Sequence, residues 1–140
     1  MAGGEVLRSA TFRLLTCAPP EVVWGCLLCP TRSPRYLHGL AVNACWQPGA
    51  RVDLTGAGCA LSGEVLHVQA PERLSLTVED ASGSCTYLTW SLRPHDGGTV
   101  VRLQVEECDG ASTSEDDLED VWLPVLDRLG ALLREETPAG

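Results

Sequence analysis

From Glu5 to Leu15 apolar and polar side chains alternate: Val6, Ala10, Phe12 and Leu14 share one face and Ser9, Thr11 and Arg13 the other. Arg8 interrupts the first face, and Leu7 and Leu15 the second. A period of two predicts a strand with one buried face. Pro19-Pro20 ends it, and Pro20, placed at a helix start, leads into Glu21 to Leu28, an apolar run read as a short buried helix stopped by Pro30. Thr31 to Gly39, with Pro34, two arginines, Tyr36 and His38, suits a second helical turn or an ordered loop. Strand-like runs follow at Leu40 to Trp46, Arg51 to Thr55, Ala60 to Gln69, Arg73 to Glu79, Cys85 to Arg93 and Thr99 to Glu107. Turn signals as short as Ala70-Pro-Glu72 join them, which predicts an antiparallel meander. Finally Leu118, Val121, Trp122, Val125, Leu126, Leu129, Leu132 and Leu133 recur with the spacing of one helix face. Ser112 with Glu115 matches a capping box, Ser114 being the alternative N-cap. Pro124 lies inside this helix, costs roughly 3 kcal/mol if unrelieved, and predicts a kink near Asp120 or Val121.

Strands gathered between one short helix and one long one indicate an α+β arrangement rather than an alternating parallel sheet. The 140 residues fit one domain, residues 1–140. The apolar fraction of 44% against 21% charged supports a packed core and excludes global disorder. All ten basic residues are arginine, against nineteen Asp and Glu, so the net charge is −9. That balance argues against nucleic acid and anionic membrane as partners. The longest apolar run, Val22 to Cys29, is far below the roughly 20 residues of a membrane helix, and no export signal is visible at the start. With seven cysteines scattered singly, an odd number, a reduced cytoplasmic setting is expected.

The segments Ala18-Pro-Pro-Glu-Val-Val-Trp24, Trp46-Gln-Pro-Gly-Ala-Arg51, Gly63-Glu-Val65, Ala70-Pro-Glu-Arg-Leu74, Thr89-Trp90-Ser-Leu92 and Trp122-Leu-Pro-Val-Leu-Asp-Arg-Leu129 occur in an order that resembles the polyketide cyclase/START (SRPBCC) superfamily. Within it the chain is similar to the bacterial branch related to the C-terminal domain of the activator of heat-shock protein ninety ATPase. The resemblance runs from about Val6 to Arg134. It implies the helix-grip fold: a curved antiparallel sheet of six or seven strands wrapped around a long C-terminal helix, with two short helices after the first strand. It also implies a cavity between sheet and helix that holds a small apolar or aromatic molecule. Relatives include cyclases and hydratases, lipid carriers and chaperone-binding proteins. A chaperone partner is not expected here, because the eukaryotic activator has a further N-terminal domain. A soluble monomer or weak homodimer is expected.

Four of seven aromatic residues are tryptophan, whose ring N–H needs a partner when buried. Trp90 shares a strand face with Leu88 and Leu92, and Trp122 shares the apolar helix face with Leu118 and Leu126. Trp46, Trp90, Trp122, Leu88, Leu118 and Leu126 are therefore the candidate ligand-lining residues, ordinary core packing being the alternative. His38, Tyr36 and Arg35 combine an acid/base group, a phenol and a cation, and are the candidates for a cyclase-type or hydratase-type reaction at the cavity mouth. Solvated loop polarity is the competing reading, and no residue is assigned as catalytic.

Cys26-Leu-Leu-Cys29 has the spacing of half a zinc site but no second pair, and both thiols are placed late in an apolar helix, so core cysteines are expected and no metal or cofactor. Arg8 either reaches solvent at a strand end or needs an acidic partner. His67 lies on a strand whose two faces the pattern leaves unassigned, and His95 in a polar turn. Glu106 to Asp120 holds eight acids and no base, which suits the positive end of a helix dipole or a docking surface for a basic partner.

Overall fold

In the computed structural model, which describes residues 6–56, 58–79, 85–108 and 115–136, seven strands form one antiparallel sheet. They are β1 (Val6–Thr16), β2 (Ala41–Ala44), β3 (Arg51–Gly56), β4 (Cys59–Gln69), β5 (Arg73–Glu79), β6 (Cys85–His95) and β7 (Gly98–Cys108), in the spatial order β1-β7-β6-β5-β4-β3-β2. Helix α1 (Pro20–Leu28) and a single 3-10 turn (Ser33–Arg35) separate β1 from β2, and α2 (Glu115–Glu136) is the last element among the described residues. This is the helix-grip arrangement, with the second small helix reduced to one turn.

Register explains the layering. Phe12, Leu103, Trp90, Leu74 and Val68 are paired in one line across β1, β7, β6, β5 and β4, and Ala10, Val105, Leu88, Leu76 and Val65 make the next. Both lines belong to the apolar cluster under α2, to which the helix contributes Val125, Leu126, Leu129, Leu132 and Leu133. Since strand side chains alternate, a slip of one residue would turn a whole line out to water. The alternation breaks once: the β4–β5 pairing shifts register between Val65 and His67, so Val65 is buried while Leu66 and His67 are both exposed. That bulge resolves the face of His67, which lies outward.

Glycines permit close approaches at several points. A Cβ on Gly63 would stand 1.7 Å from the carbonyl oxygen of Thr77, so only glycine lets β4 lie against β5 there. Gly130 of α2 faces Leu14, and the backbone of α2 comes nearest to β1, with no comparable approach to β3, β4 or β5.

The segment after α1 is fastened by a buried serine. Ser33 Oγ donates to the carbonyl of Leu40 at 3.0 Å and accepts the N–H of Val42 at 2.9 Å, which ties the 3-10 turn to the start of β2. Helix α2 is continuous through Pro124. The side chains of Arg8 and Leu118 and the caps proposed at Ser112, Ser114 and Glu115 lie outside the described residues.

Candidate functional site

In the apolar interior between sheet and α2, Trp90 is a central residue. Its indole is 4% exposed and meets the ring of Tyr36 edge-on, with centroids 6.3 Å apart and planes at 90°. Edge-to-face pairing places positive ring hydrogens over a negative π face. Leu88 and Leu126 are buried in the same cluster, while Trp46 and Trp122 are half-buried and pack against it. The structure thus joins five of the six ligand-lining candidates to one apolar body. The close backbone contacts that α2 makes with the sheet are concentrated on β1, at the far side of β7 from the strand that carries Trp90.

Tyr36, Arg35 and His38 do not form one reactive cluster. Tyr36 is 1% exposed, and its hydroxyl donates to the carbonyl of Leu27 at 2.6 Å. Burial holds the phenol proton far more tightly than usual, so Tyr36 is a core residue that locks the turn to α1. The expectation of a polar loop residue at a cavity mouth is corrected by this placement. Arg35 Nη2 lies 2.6 Å from Glu135 Oε2, and Arg32 holds Glu136 through two contacts of 3.0 Å. The hydrogen bond from Arg32 lowers the pKa of the Glu136 carboxyl. His38 instead bonds the carbonyl of Val121 through Nε2, while its Nδ1 lies 3.2 Å from Arg128. Val121 and Glu135 are roughly 20 Å apart along the helix at 1.5 Å per residue, so Arg35 and His38 serve opposite ends of α2. These polar residues fasten the 29–40 segment along the helix, a role that short-range sequence spacing does not reveal.

The two cysteines of the Cys26–Cys29 pair have different surroundings. Cys26 is buried on α1, and desolvation raises its thiol pKa. Cys29 is the C-cap residue, half-buried, with Sγ 3.0 Å from Thr31 Oγ1 and 3.6 Å from Arg32 Nη1. Hydrogen bonding by the Thr31 side chain, then by its backbone, lowers the Cys29 thiol to about 7. The expectation of two core cysteines therefore holds for Cys26 and is corrected for Cys29, where the chain leaves the helix and polar donors collect. Cys17, Cys26, Cys29 and Cys45 are free thiols. Among the described residues no three His, Cys, Asp or Glu side chains converge as a metal site, and no helix is long and apolar enough to cross a membrane. His95 is exposed in the β6–β7 turn, 3.4 Å from Asp96.

A family model described as Activator of Hsp90 ATPase homolog 1-like protein matches residues 17–134. No curated protein matches the chain. Among solved structures, CalU16 from Micromonospora echinospora is 25% identical, with 92% of this chain and 78% of that one covered and a TM-score of 0.71. DynU16, from the dynemicin biosynthetic locus, is 24% identical with a TM-score of 0.79, covering 93% of this chain and 48% of its own. The Aha1 dimer from Colwellia psychrerythraea is similar in fold at 15% identity, covering 96% of this chain and 100% of its own, with a TM-score of 0.72. A match spanning most of the sequence, on a sheet that grips a C-terminal helix, makes this chain a member of the Activator of Hsp90 ATPase homolog 1-like family within the polyketide cyclase-like SRPBCC proteins.

Proposed function

We propose that the protein binds a small neutral, apolar or aromatic molecule between the sheet and α2, with Trp46, Trp90, Trp122, Leu88, Leu118 and Leu126 as its lining. The observation that carries this reading is the unequal seating of α2, tight on β1 and without close backbone approach to β3, β4 or β5, with half-buried Trp46 and Trp122 on the same apolar body as Trp90. Large indole rings bridge a wide separation at little entropic cost and offer flat apolar faces to a ring-shaped guest. Trp90 supplies the floor on β6, and Trp122 the facing wall on α2.

Titration with 1-aminoanthracene, a neutral aromatic probe, tests the reading by tryptophan fluorescence and by melting. Saturable quenching is expected, with a stabilisation of about 2.7 kcal/mol at 100-fold excess over the dissociation constant. Trp122→Ala and Trp46→Ala should each change probe affinity several-fold, and His38→Ala should leave it unchanged. Absence of saturable binding, or binding indifferent to both tryptophan variants, would overturn the proposal.

A further inference from the structure

The outer face of the sheet, opposite α2, carries a feature that the apolar interior does not explain. Arg13 on β1 is paired directly with Arg102 on β7, Arg102 with Ser91 on β6, and Ser91 with Arg73 on β5. Three guanidiniums therefore lie in one cross-strand line. Arg93, two residues along β6 and so on the same face, makes a fourth. These four line a hollow of about 330 Å³ whose only acid is Glu72. The β4–β5 turn forms one wall, pinned to β6 by the N–H of Leu92 donating to the carbonyl of Glu72 at 2.8 Å.

This charge distribution is unfavourable in the empty protein. Like charges on directly opposed strand positions repel, because their Cβ atoms are only about 5 Å apart. The chain has nineteen acids for ten arginines, and Arg32, Arg35 and Arg51 each hold a carboxylate. Arg13, Arg73, Arg93 and Arg102 hold none and make no hydrogen bond among the described residues. A protein of net charge −9 thus gathers four of its ten cations around one hollow, where among the described residues none of them is in an ion pair.

We infer that this hollow binds a small multivalent oxyanion, of the polyphosphate or polycarboxylate class. Guanidiniums match the oxygen pairs of phosphate and carboxylate with two parallel N–H donors, and several around one site exceed what a single bidentate pair provides. Its volume lies at the lower end of the range for small-molecule sites, which suits a compact anion. The site is on the opposite face of the sheet from the apolar ligand space and does not depend on it.

Calorimetric titration with pyrophosphate and with citrate, at constant ionic strength, tests the inference on the full chain. One saturable site is expected, weakened at least tenfold by Arg102→Gln and by Arg73→Gln and unchanged by Arg51→Gln. Preference for pyrophosphate marks a phosphoryl ligand and preference for citrate a polycarboxylate, either supporting the site. A heat that fails to saturate, or one reduced equally by Arg51→Gln, overturns it. Hexaglutamate binding tenfold more tightly than both probes would overturn it in favour of an acidic protein segment. Independently of any ligand, Arg102→Gln should raise the melting temperature in anion-free buffer by removing the opposed charge. A fall would show the guanidinium to be satisfied within the protein and would also overturn the inference.

Discussion

Nε2 of His38 lies 2.8 Å from the carbonyl oxygen of Val121, in the turn of α2 just before Pro124. Proline offers no N–H and crowds the carbonyl four residues back, that of Asp120, so the ladder of α2 is weakest there. With its proton on Nε2, the His38 ring donates to Val121 while Nδ1 accepts from Arg128. A histidine considered for proton transfer instead supports the helix beside its proline.

His38→Ala should therefore lower stability by about 1 kcal/mol, the usual net worth of one such hydrogen bond. His38→Gln, which can still donate, should recover part of that loss. Urea unfolding of the three proteins measures both, and equal stability of all three would refute the supporting role.

Tyr36→Phe keeps the edge-to-face ring contact with Trp90 but leaves the carbonyl of Leu27 without its hydroxyl donor. An expected loss of about 1–3 kcal/mol follows from stranding a buried acceptor. The emission maximum of the folded protein should stay nearly constant. A large spectral shift would mean that the hydroxyl, rather than the ring, positions the indole.

Cys29 should alkylate with a half-maximal rate near pH 7, below the ordinary thiol value of 9.0. Thr31→Val removes the leading cause of that shift and should move the profile toward the ordinary value. The sign for stability follows from linkage: the folded thiol ionises more easily than the unfolded one, so its contribution is full above about pH 9 and is lost as pH falls through about 7. Iodoacetamide labelling read by peptide mapping distinguishes Cys29 from buried Cys26, whose thiol should react slowly.

Gly63→Ala places a methyl group 1.7 Å from the Thr77 carbonyl, and neither backbone can withdraw without breaking the β4–β5 ladder. Destabilisation of at least about 3 kcal/mol is expected. Gly49→Ala, at a turn with nothing within 4 Å of the added carbon but a φ of +89°, gives a strain-only comparison. If both variants melt alike, the close approach at Gly63 contributes nothing.

Strand identities and the gripped helix could be read from local patterns, because alternation and helical spacing report which side of each element is buried. The ends of β3 to β7 were legible to within a few residues for the same reason. Three features needed the third dimension. The bulge between Val65 and His67 adds a residue to one face, so alternation carried past it contradicts itself. Tyr36 and Arg35 are neighbours in sequence, yet a 3-10 turn sends the phenol into the core and the guanidinium to Glu135. The arginine line exists only through strand pairing, since Arg13 and Arg102 are far apart in the chain. Ser33 gave no signal at all; its burial accompanies hydrogen bonds to two backbone groups, the Leu40 carbonyl and the Val42 N–H.

The spatial order of the strands also sets an order of assembly. Every neighbouring pair from β2 to β7 is consecutive in sequence, so five hairpins can close over short loops, whereas β1 joins β7 only after the intervening residues 17–97 are brought round. Closing a long loop costs entropy before any contact returns it, although the cost grows only logarithmically with length. The β2–β7 meander is thus free to nucleate first, with β1 and the helix seated on it arriving as the late step. Conservative substitutions at Leu103 on β7 that loosen its β6 packing should slow folding, while Phe12→Leu on β1 should chiefly speed unfolding. On this order β1 is expected to be the last part of the sheet to be fixed and the first to be released.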